Sequence, residues 1–129
     1  MTQFMSYKDQ TRHYFNRPHQ SPATEPVMNP AAWYGRDLRR TVDWIEAFSA
    51  SEIAEIETAL RAARKTGKET RDLQVSDFPL PGLGQKISGW RQELKTGRGF
   101  QVLRGLPVER WDKEETELFF WCFGLHLGR

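Results

Sequence analysis

The chain of 129 residues has a single cysteine, Cys122, and very few long apolar stretches. One cysteine excludes an internal disulfide. No run reaches the roughly 18 apolar residues that a membrane-spanning helix needs. The first twenty residues also lack the apolar core of a secretory signal peptide. We therefore expect a cytoplasmic protein, because a lone thiol is typical of a reducing compartment.

The chain also lacks a strong excess of charge of either sign. Lysine and arginine total 19, aspartate and glutamate total 17, and the net charge is +2. Two basic runs, residues 36–40 and 61–68, leave nucleic-acid binding as an alternative, although such domains usually carry a broader basic stripe. Both runs are explained as well by solvated helix faces and helix C-termini, where cations are favoured. We expect neither a nucleic-acid nor a membrane partner.

No catalytic set or metal site is visible in the sequence. None of the histidines is followed by a carboxylate at the one-residue gap typical of metal-binding His-x-Asp pairs. His126 is expected to bond locally rather than reach a cofactor, and Cys122 to be buried and inert. The remaining candidates fit solvated positions, helix caps or the first turns of helices: His13, His19, Ser49, Ser51, Ser88, Glu52, Glu55, Glu114 and Glu115. We assign no catalytic, cofactor-binding or metal-binding residue to this chain.

The spacing of prolines divides the chain into two parts. Pro18, Pro22, Pro26 and Pro30 lie four residues apart, a spacing that prevents a helix from propagating through them. We expect residues 1–29 to form a flexible, extended or disordered leader, and residues 30–129 to form the folded part. Within the leader, the aromatic pair Tyr14 and Phe15 is the candidate for contact with the folded part.

Capping boxes and apolar periodicity predict three helices in the folded part. Ser49 with Glu52, and Asp112 with Glu115, predict two helix starts. Gly67 is placed to end the first of these helices, and a third helix is predicted between Pro81 and Gly97. The first and third helices carry apolar stripes at steps of three and four: Ile53, Ile56, Ala59, Leu60, Ala63 and Leu83, Ile87, Trp90, Leu94. A clustered apolar segment upstream is expected to pack on the first helix: Trp33, Leu38, Trp44, Ile45, Phe48.

One strand is predicted, in the stretch GFQVLRGLPV. Phe100, Val102 and Leu103 are strand formers, and Gly99 and Gly105 interrupt the pattern on either side. One strand cannot form a sheet. Its hydrogen-bonding edges are therefore expected to need neighbours that the sequence does not obviously supply.

The last helix is apolar in every direction around its axis, the pattern of a helix buried on all sides. Leaving three such side chains in water would forfeit about 6 kcal/mol, at roughly 2 kcal/mol each. That loss is comparable with the whole stability of a domain, about 5 to 15 kcal/mol. We therefore expect further polypeptide or a partner to cover five side chains: Leu118, Phe119, Phe120, Trp121 and Phe123.

The C-terminal stretch GRGFQVLRGLPVERWDKEETELFFWCFGLHLGR resembles a known family. It is similar to the segment ahead of the catalytic barrel in the TauD/TfdA-like, or taurine catabolism dioxygenase-like, enzymes, which depend on Fe(II) and 2-oxoglutarate. The stretches AAWYGRDL, DWIEAFSASEIAEI and DFPLPGLGQKI also resemble that group. The resemblance therefore covers residues 26–129.

The resemblance implies an α+β fold, with an N-terminal helical segment and the first strand or strands of a double-stranded β-helix (jelly roll). The family binds Fe(II) through a His-x-Asp/Glu pair and a distant His, and holds 2-oxoglutarate with an arginine. This chain stops before the region where the family carries those ligands, so no functional residue is carried over. Arg104 and Arg129 are not the cosubstrate arginine, which comes later in the family.

Two functions remain open on the sequence alone. The first is an N-terminal fragment of an oxidoreductase that hydroxylates an unknown small molecule, a fragment inactive by itself because it lacks the iron and 2-oxoglutarate ligands. The second is a non-catalytic interaction module that docks through the apolar helix at residues 113–127, since exposed apolar patches often mark interfaces.

Overall fold

A computed structural model of the chain describes residues 6–128. The described residues form five α-helices, two single 3-10 turns and one small parallel sheet. The predicted α+β class is therefore confirmed. The helices and strands follow in this order: α1 Tyr7–Asn16, α2 Gly35–Leu38, β1 Ile45–Ala47, α3 Ala50–Lys65, α4 Gly84–Thr96, β2 Val102–Arg104 and α5 Lys113–Leu127.

α3 begins and ends where the sequence predicts. The Ser49 hydroxyl accepts a hydrogen bond from the Glu52 amide at 3.2 Å, and the Glu52 carboxylate accepts one from the Ser49 amide at 2.8 Å. Gly67 follows the last turn with a φ of +66°, a left-handed conformation that glycine adopts at low cost. The predicted apolar stripe is buried at Ile56, Ala59, Leu60 and Ala63.

The core lies where α3, α4 and α5 meet. α4 contributes Ile87 and Trp90, whereas Leu94 in the predicted stripe is exposed. Leu94 lies in the last turn of α4 and is 43% exposed, so the buried stripe ends at Trp90. The connection between α3 and α4 supplies four further buried side chains, among them Leu83 of the predicted stripe: Leu73, Phe78, Leu80 and Leu83.

The sheet has two strands, so the prediction of a lone strand is wrong. β1 pairs with β2 in parallel, with Ile45 opposite Val102 and Ala47 opposite Arg104. The Val102 amide donates to the Trp44 carbonyl at 2.9 Å, at the entrance to the pair. β1 is only three residues long and has Glu46 at its centre. A strand that short carries too little alternation to be recognised from the sequence.

The expectation of an extended leader is wrong for the residues that form α1. Ser6 caps this helix by accepting a hydrogen bond from the Asp9 amide at 3.2 Å. The first proline, Pro18, comes after the helix has ended, so it does not interrupt the helix. No α1 side chain is buried. Tyr14 and Phe15 pack edge to face on each other, and residues 1–5 of the leader lie outside the described residues.

α5 is buried on one face only. The sequence predicts burial all round this helix, but the chain itself covers only the face that meets α3 and α4. Phe120 is 82% exposed and Trp121 is 43% exposed. Four neighbours on the other face are buried: Leu118, Phe119, Cys122 and Phe123. α5 is also too short to span a bilayer, and among residues 6–128 no helix qualifies as a membrane span.

Candidate functional site

The three histidines differ in their surroundings. His13 and His19 are exposed in the leader. His126, near the end of α5, is half-buried with its Nε2 atom 2.7 Å from the Phe78 carbonyl oxygen. His126 therefore forms a hydrogen bond within the chain, but with a residue of the connection before α4 rather than with its neighbours in the sequence.

Cys122 is fully buried in the middle of α5. Burial raises the pKa of the Cys122 thiol to about 11, and the nearby Asp77 carboxylate adds to the effect. The thiolate is the reactive form of cysteine. A neutral, buried thiol of this kind acts as a small apolar side chain, as the sequence predicts.

The described residues do not fit an iron site. A non-haem Fe(II) centre of the facial type needs two histidines and a carboxylate that converge. In the part of the chain that the structure describes, no three His, Cys, Asp or Glu side chains form a group that could hold a metal ion. Arg104 is exposed at the end of β2, and Arg129 lies outside the described residues.

A charged cluster fixes the sheet against the helices. Lys86 Nζ on α4 lies 2.7 Å from Glu46 Oε1 on β1 and 2.7 Å from Glu52 Oε1 on α3. Trp90 Nε1, one turn further along α4, donates to Glu46 Oε2 at 2.8 Å. The hydrogen bond from Lys86 is the main cause that lowers the pKa of both carboxyls, and in return the pKa of Lys86 is raised.

Arg98, which precedes β2, forms ion pairs with the segment that precedes β1 and with α4. Its guanidinium lies 3.2 Å from an Asp43 carboxylate oxygen and 3.1 Å from one of Glu93. Its carbonyl accepts a hydrogen bond from Trp33 Nε1 at 3.1 Å. Arg98 Nε is buried and has no hydrogen-bond partner among residues 6–128. An open, largely apolar groove of about 520 Å³ lies beside it, lined by Ala31, Trp33, Leu38, Trp44, Arg98, Gly99 and Phe100.

Several cations of the two basic runs bind carboxylates of the same chain. Arg64 Nη2 lies 3.2 Å from Asp112 Oδ2 at the start of α5. Lys68 Nζ lies 2.8 Å from Asp77 Oδ2. The Arg36 guanidinium lies over the Tyr34 ring, 4.5 Å from its centroid. Cations of both basic runs therefore have partners within the same chain.

The exposed face of α5 carries two neighbouring aromatic side chains. Phe120 and Trp121 point away from the core, and Gly124 lies exposed in the next turn on the same face. Large apolar side chains side by side on a surface are typical of a contact with another protein element. We call Phe120, Trp121 and Gly124 the outer face of α5.

Comparison with known proteins relates this chain to part of two larger ones. The taurine hydroxylase-like protein SAT17 of Stachybotrys chartarum is 32% identical over 97 residues, which are 75% of this chain and 25% of that protein. This similarity confirms the TauD/TfdA-like resemblance. FR-33289 synthase of Streptomyces rubellomurinus is 27% identical over 104 residues, which are 81% of this chain and 31% of the synthase. No protein-family model matches the chain.

The chain spans between a quarter and a third of the length of these two relatives. Sequence reasoning missed the polar contacts that hold its segments together. The only signal for the Glu46 cluster was a carboxylate inside an apolar segment, next to Trp44 and Ile45. Arg98 lies between Gly97 and Gly99, and nothing in that local pattern indicates its ion pairs with Asp43 and Glu93.

Proposed function

We propose that this chain is the N-terminal part of an Fe(II)- and 2-oxoglutarate-dependent dioxygenase that hydroxylates a small molecule. The observation that carries the proposal is the 97-residue match to the taurine hydroxylase-like protein. The match takes up most of this chain but only 25% of that relative. We assign the iron ligands and the 2-oxoglutarate arginine to polypeptide beyond these 129 residues, and oxidation of a small molecule to the whole enzyme.

In this proposal the chain has a structural role, as residues 30–129 pack against the catalytic barrel. The β1–β2 sheet is part of the double-stranded β-helix, and residues 1–29 are a leader. Phe120 and Trp121 on the outer face of α5 are covered by the barrel. Burial of a large apolar side chain contributes roughly 2 kcal/mol, which makes this face a favourable site for the contact. We assign the enzyme to the cytoplasm, in keeping with its single buried cysteine.

The length of the native polypeptide tests this proposal. The protein would be isolated from the cells that make it, and its intact mass and peptide map measured. We expect a mass well above the 15.1 kDa of these 129 residues. The additional sequence should contain a His-x-Asp or His-x-Glu pair followed by a later His and an Arg. A native protein of 15.1 kDa would exclude the proposal.

A second candidate function is an interaction module that docks through α5. The observation in its favour is the 82% exposure of Phe120. Sedimentation equilibrium of the 129-residue chain distinguishes the two functions. A discrete, folded homodimer that Phe120→Asp dissociates, while Glu117→Gln on the same side of α5 leaves it intact, would favour the module. A monomer or a heterogeneous aggregate would instead favour the first proposal, that the chain is the N-terminal part of a dioxygenase.

A further inference from the structure

The outer edge of β2 has free backbone hydrogen-bonding groups. In the parallel pair, the Val102 amide donates to the Trp44 carbonyl, and the Arg104 carbonyl accepts from the Phe48 amide, each at 2.9 Å. Val102 and Arg104 therefore direct their backbone groups towards β1. Leu103, between them, directs its N–H and C=O to the opposite side, because these directions alternate along a strand.

The backbone groups on that outer side have no partner in the described part of the chain. Neither Leu103 nor Gln101, two residues earlier, forms a backbone or side-chain hydrogen bond within residues 6–128. Both residues are half-buried, so their environment is not that of a fully solvated loop. Backbone N–H and C=O groups that are buried away from water are normally paired, so an element that covered this edge would have to supply partners for them.

The outer edge of β1 is different. The Ile45 amide on that side donates to the Val42 carbonyl at 3.0 Å, within the turn that leads into the strand. Ala47, the other outward-directed residue of β1, is exposed. The turn therefore occupies part of the β1 edge, and β2 is the edge better placed to accept a strand.

The two faces of the sheet are also unequal. Glu46 and Leu103 lie on the face towards the core, where Glu46 bonds to Trp90 and Leu103 packs against the buried residues. On the other face, Ile45 and Val102 are half-buried as well, but within residues 6–128 they are not among the side chains that pack against that core. Parallel strands are found almost only in sheets covered on both faces, and a two-stranded sheet is marginal by itself.

We propose that the outer edge of β2 accepts a strand from the part of the same polypeptide that lies beyond these 129 residues. This inference rests on the proposed function, and the length of the relatives supports it, since they extend well past the region they share with this chain. The backbone groups of Gln101 and Leu103 supply the new hydrogen bonds. The added strand places apolar side chains beside Val102, and so extends the half-buried face.

Amide hydrogen exchange, resolved by residue, tests the inference on two proteins: the 129-residue chain and the native longer polypeptide. In the 129-residue chain we expect a protected Val102 amide and a Leu103 amide that exchanges without protection. In the longer polypeptide both amides should be protected. The Leu103 amide should exchange at least about tenfold more slowly there than in the short chain, roughly the factor that one hydrogen bond contributes.

A matched pair of proline variants tests which backbone N–H groups of this segment face away from β1. Gln101→Pro removes an outward N–H, and should leave the unfolding midpoint of the 129-residue chain nearly unchanged while lowering that of the longer polypeptide. Val102→Pro removes the N–H that bonds to β1, and should lower both midpoints. Equal effects of the two variants on the short chain would overturn the inference.

The outcomes also separate this inference from the function on which it rests. A Leu103 amide that exchanges equally fast in both proteins, in a longer polypeptide that does consume 2-oxoglutarate, would overturn the strand pairing alone. A native polypeptide of 15.1 kDa would remove the proposed function and the strand donor with it. Protection of Leu103 in a longer polypeptide without 2-oxoglutarate turnover would support the strand pairing while removing the dioxygenase function.

Discussion

Trp90 Nε1 donates a hydrogen bond to Glu46 Oε2 across 2.8 Å, and this contact joins α4 to the first strand of the sheet. The other oxygen of the same carboxylate lies 2.7 Å from Lys86 Nζ. Glu46 thus accepts hydrogen bonds from two side chains of α4, the neutral indole of Trp90 and the charged ammonium of Lys86. The ionised form of this carboxylate therefore contributes to the attachment of the sheet, beside the apolar packing of Phe48 and Leu103.

Replacing this carboxylate should weaken the attachment of the sheet. We expect Glu46→Gln to lower the free energy of unfolding by about 1 kcal/mol, because the cluster is partly exposed and water screens its charges. Urea unfolding of the 129-residue chain at pH 7 measures the change. Glu117→Gln, on the exposed side of α5, is the matched control and should change the stability by less than about 0.5 kcal/mol.

The same cluster predicts how stability depends on pH. The pKa values of Glu46 and Glu52 in the folded chain lie below the ordinary value of 4.5, chiefly because Lys86 hydrogen-bonds to each carboxylate. The folded state therefore binds fewer protons than the unfolded state in this range. The stabilisation is fully present above pH 4.5 and is lost as the pH falls through the lower folded values.

Urea unfolding midpoints should be measured between pH 7 and pH 3. We expect the midpoint to decrease as the pH falls below 4.5. The fall should be smaller in Glu46→Gln, because that variant has lost one of the two carboxyls. An equal fall in the variant and in the original chain would show that Glu46 does not contribute.

Cys122 should be unreactive in the folded chain. With the pKa of the thiol raised to about 11, little thiolate is present at pH 7, and the sulfur is fully buried. We expect a thiol-specific reagent to leave the native chain unlabelled and to label it completely in concentrated urea. Rapid labelling in buffer would contradict the burial of this face of α5.

Phe120 should matter little to the isolated chain and much to a longer enzyme. Phe120→Asp should change the stability of the 129-residue chain by less than about 0.5 kcal/mol, since the side chain is already in water. In the longer polypeptide it should cost roughly 2 kcal/mol or more, because it places a charge in a buried contact. Thermal unfolding of both forms compares the two, with Glu117→Gln as the control.

The sequence predicted the features of this fold that depend on neighbouring residues. The Ser49–Glu52 and Asp112–Glu115 capping boxes lie within single turns, so their spacing alone locates the starts of α3 and α5. The proline spacing does not predict α1, because this helix ends before the first proline, Pro18. Its cap, formed by Ser6 and Asp9, lies well before Pro18.

The features that were missed depend on residues far apart in the chain. β1 and β2 pair residues separated by more than fifty positions, and no local pattern marks a strand of three residues. Arg98 binds Asp43 and Glu93 from two different segments, which only the folded chain brings together. For α5, the composition of residues 118–123 showed that the helix is apolar but could not show which face the chain itself covers.

The central claim is that these 129 residues form part of a 2-oxoglutarate-dependent dioxygenase whose metal ligands lie elsewhere in the polypeptide. The most direct test measures succinate formed from 2-oxoglutarate, with Fe(II) and O₂ supplied, by the native polypeptide and by the 129-residue chain. We predict succinate from the native polypeptide, dependent on added Fe(II), and none from the 129-residue chain. Succinate formation by the 129-residue chain alone, or none by the native polypeptide, would contradict the claim.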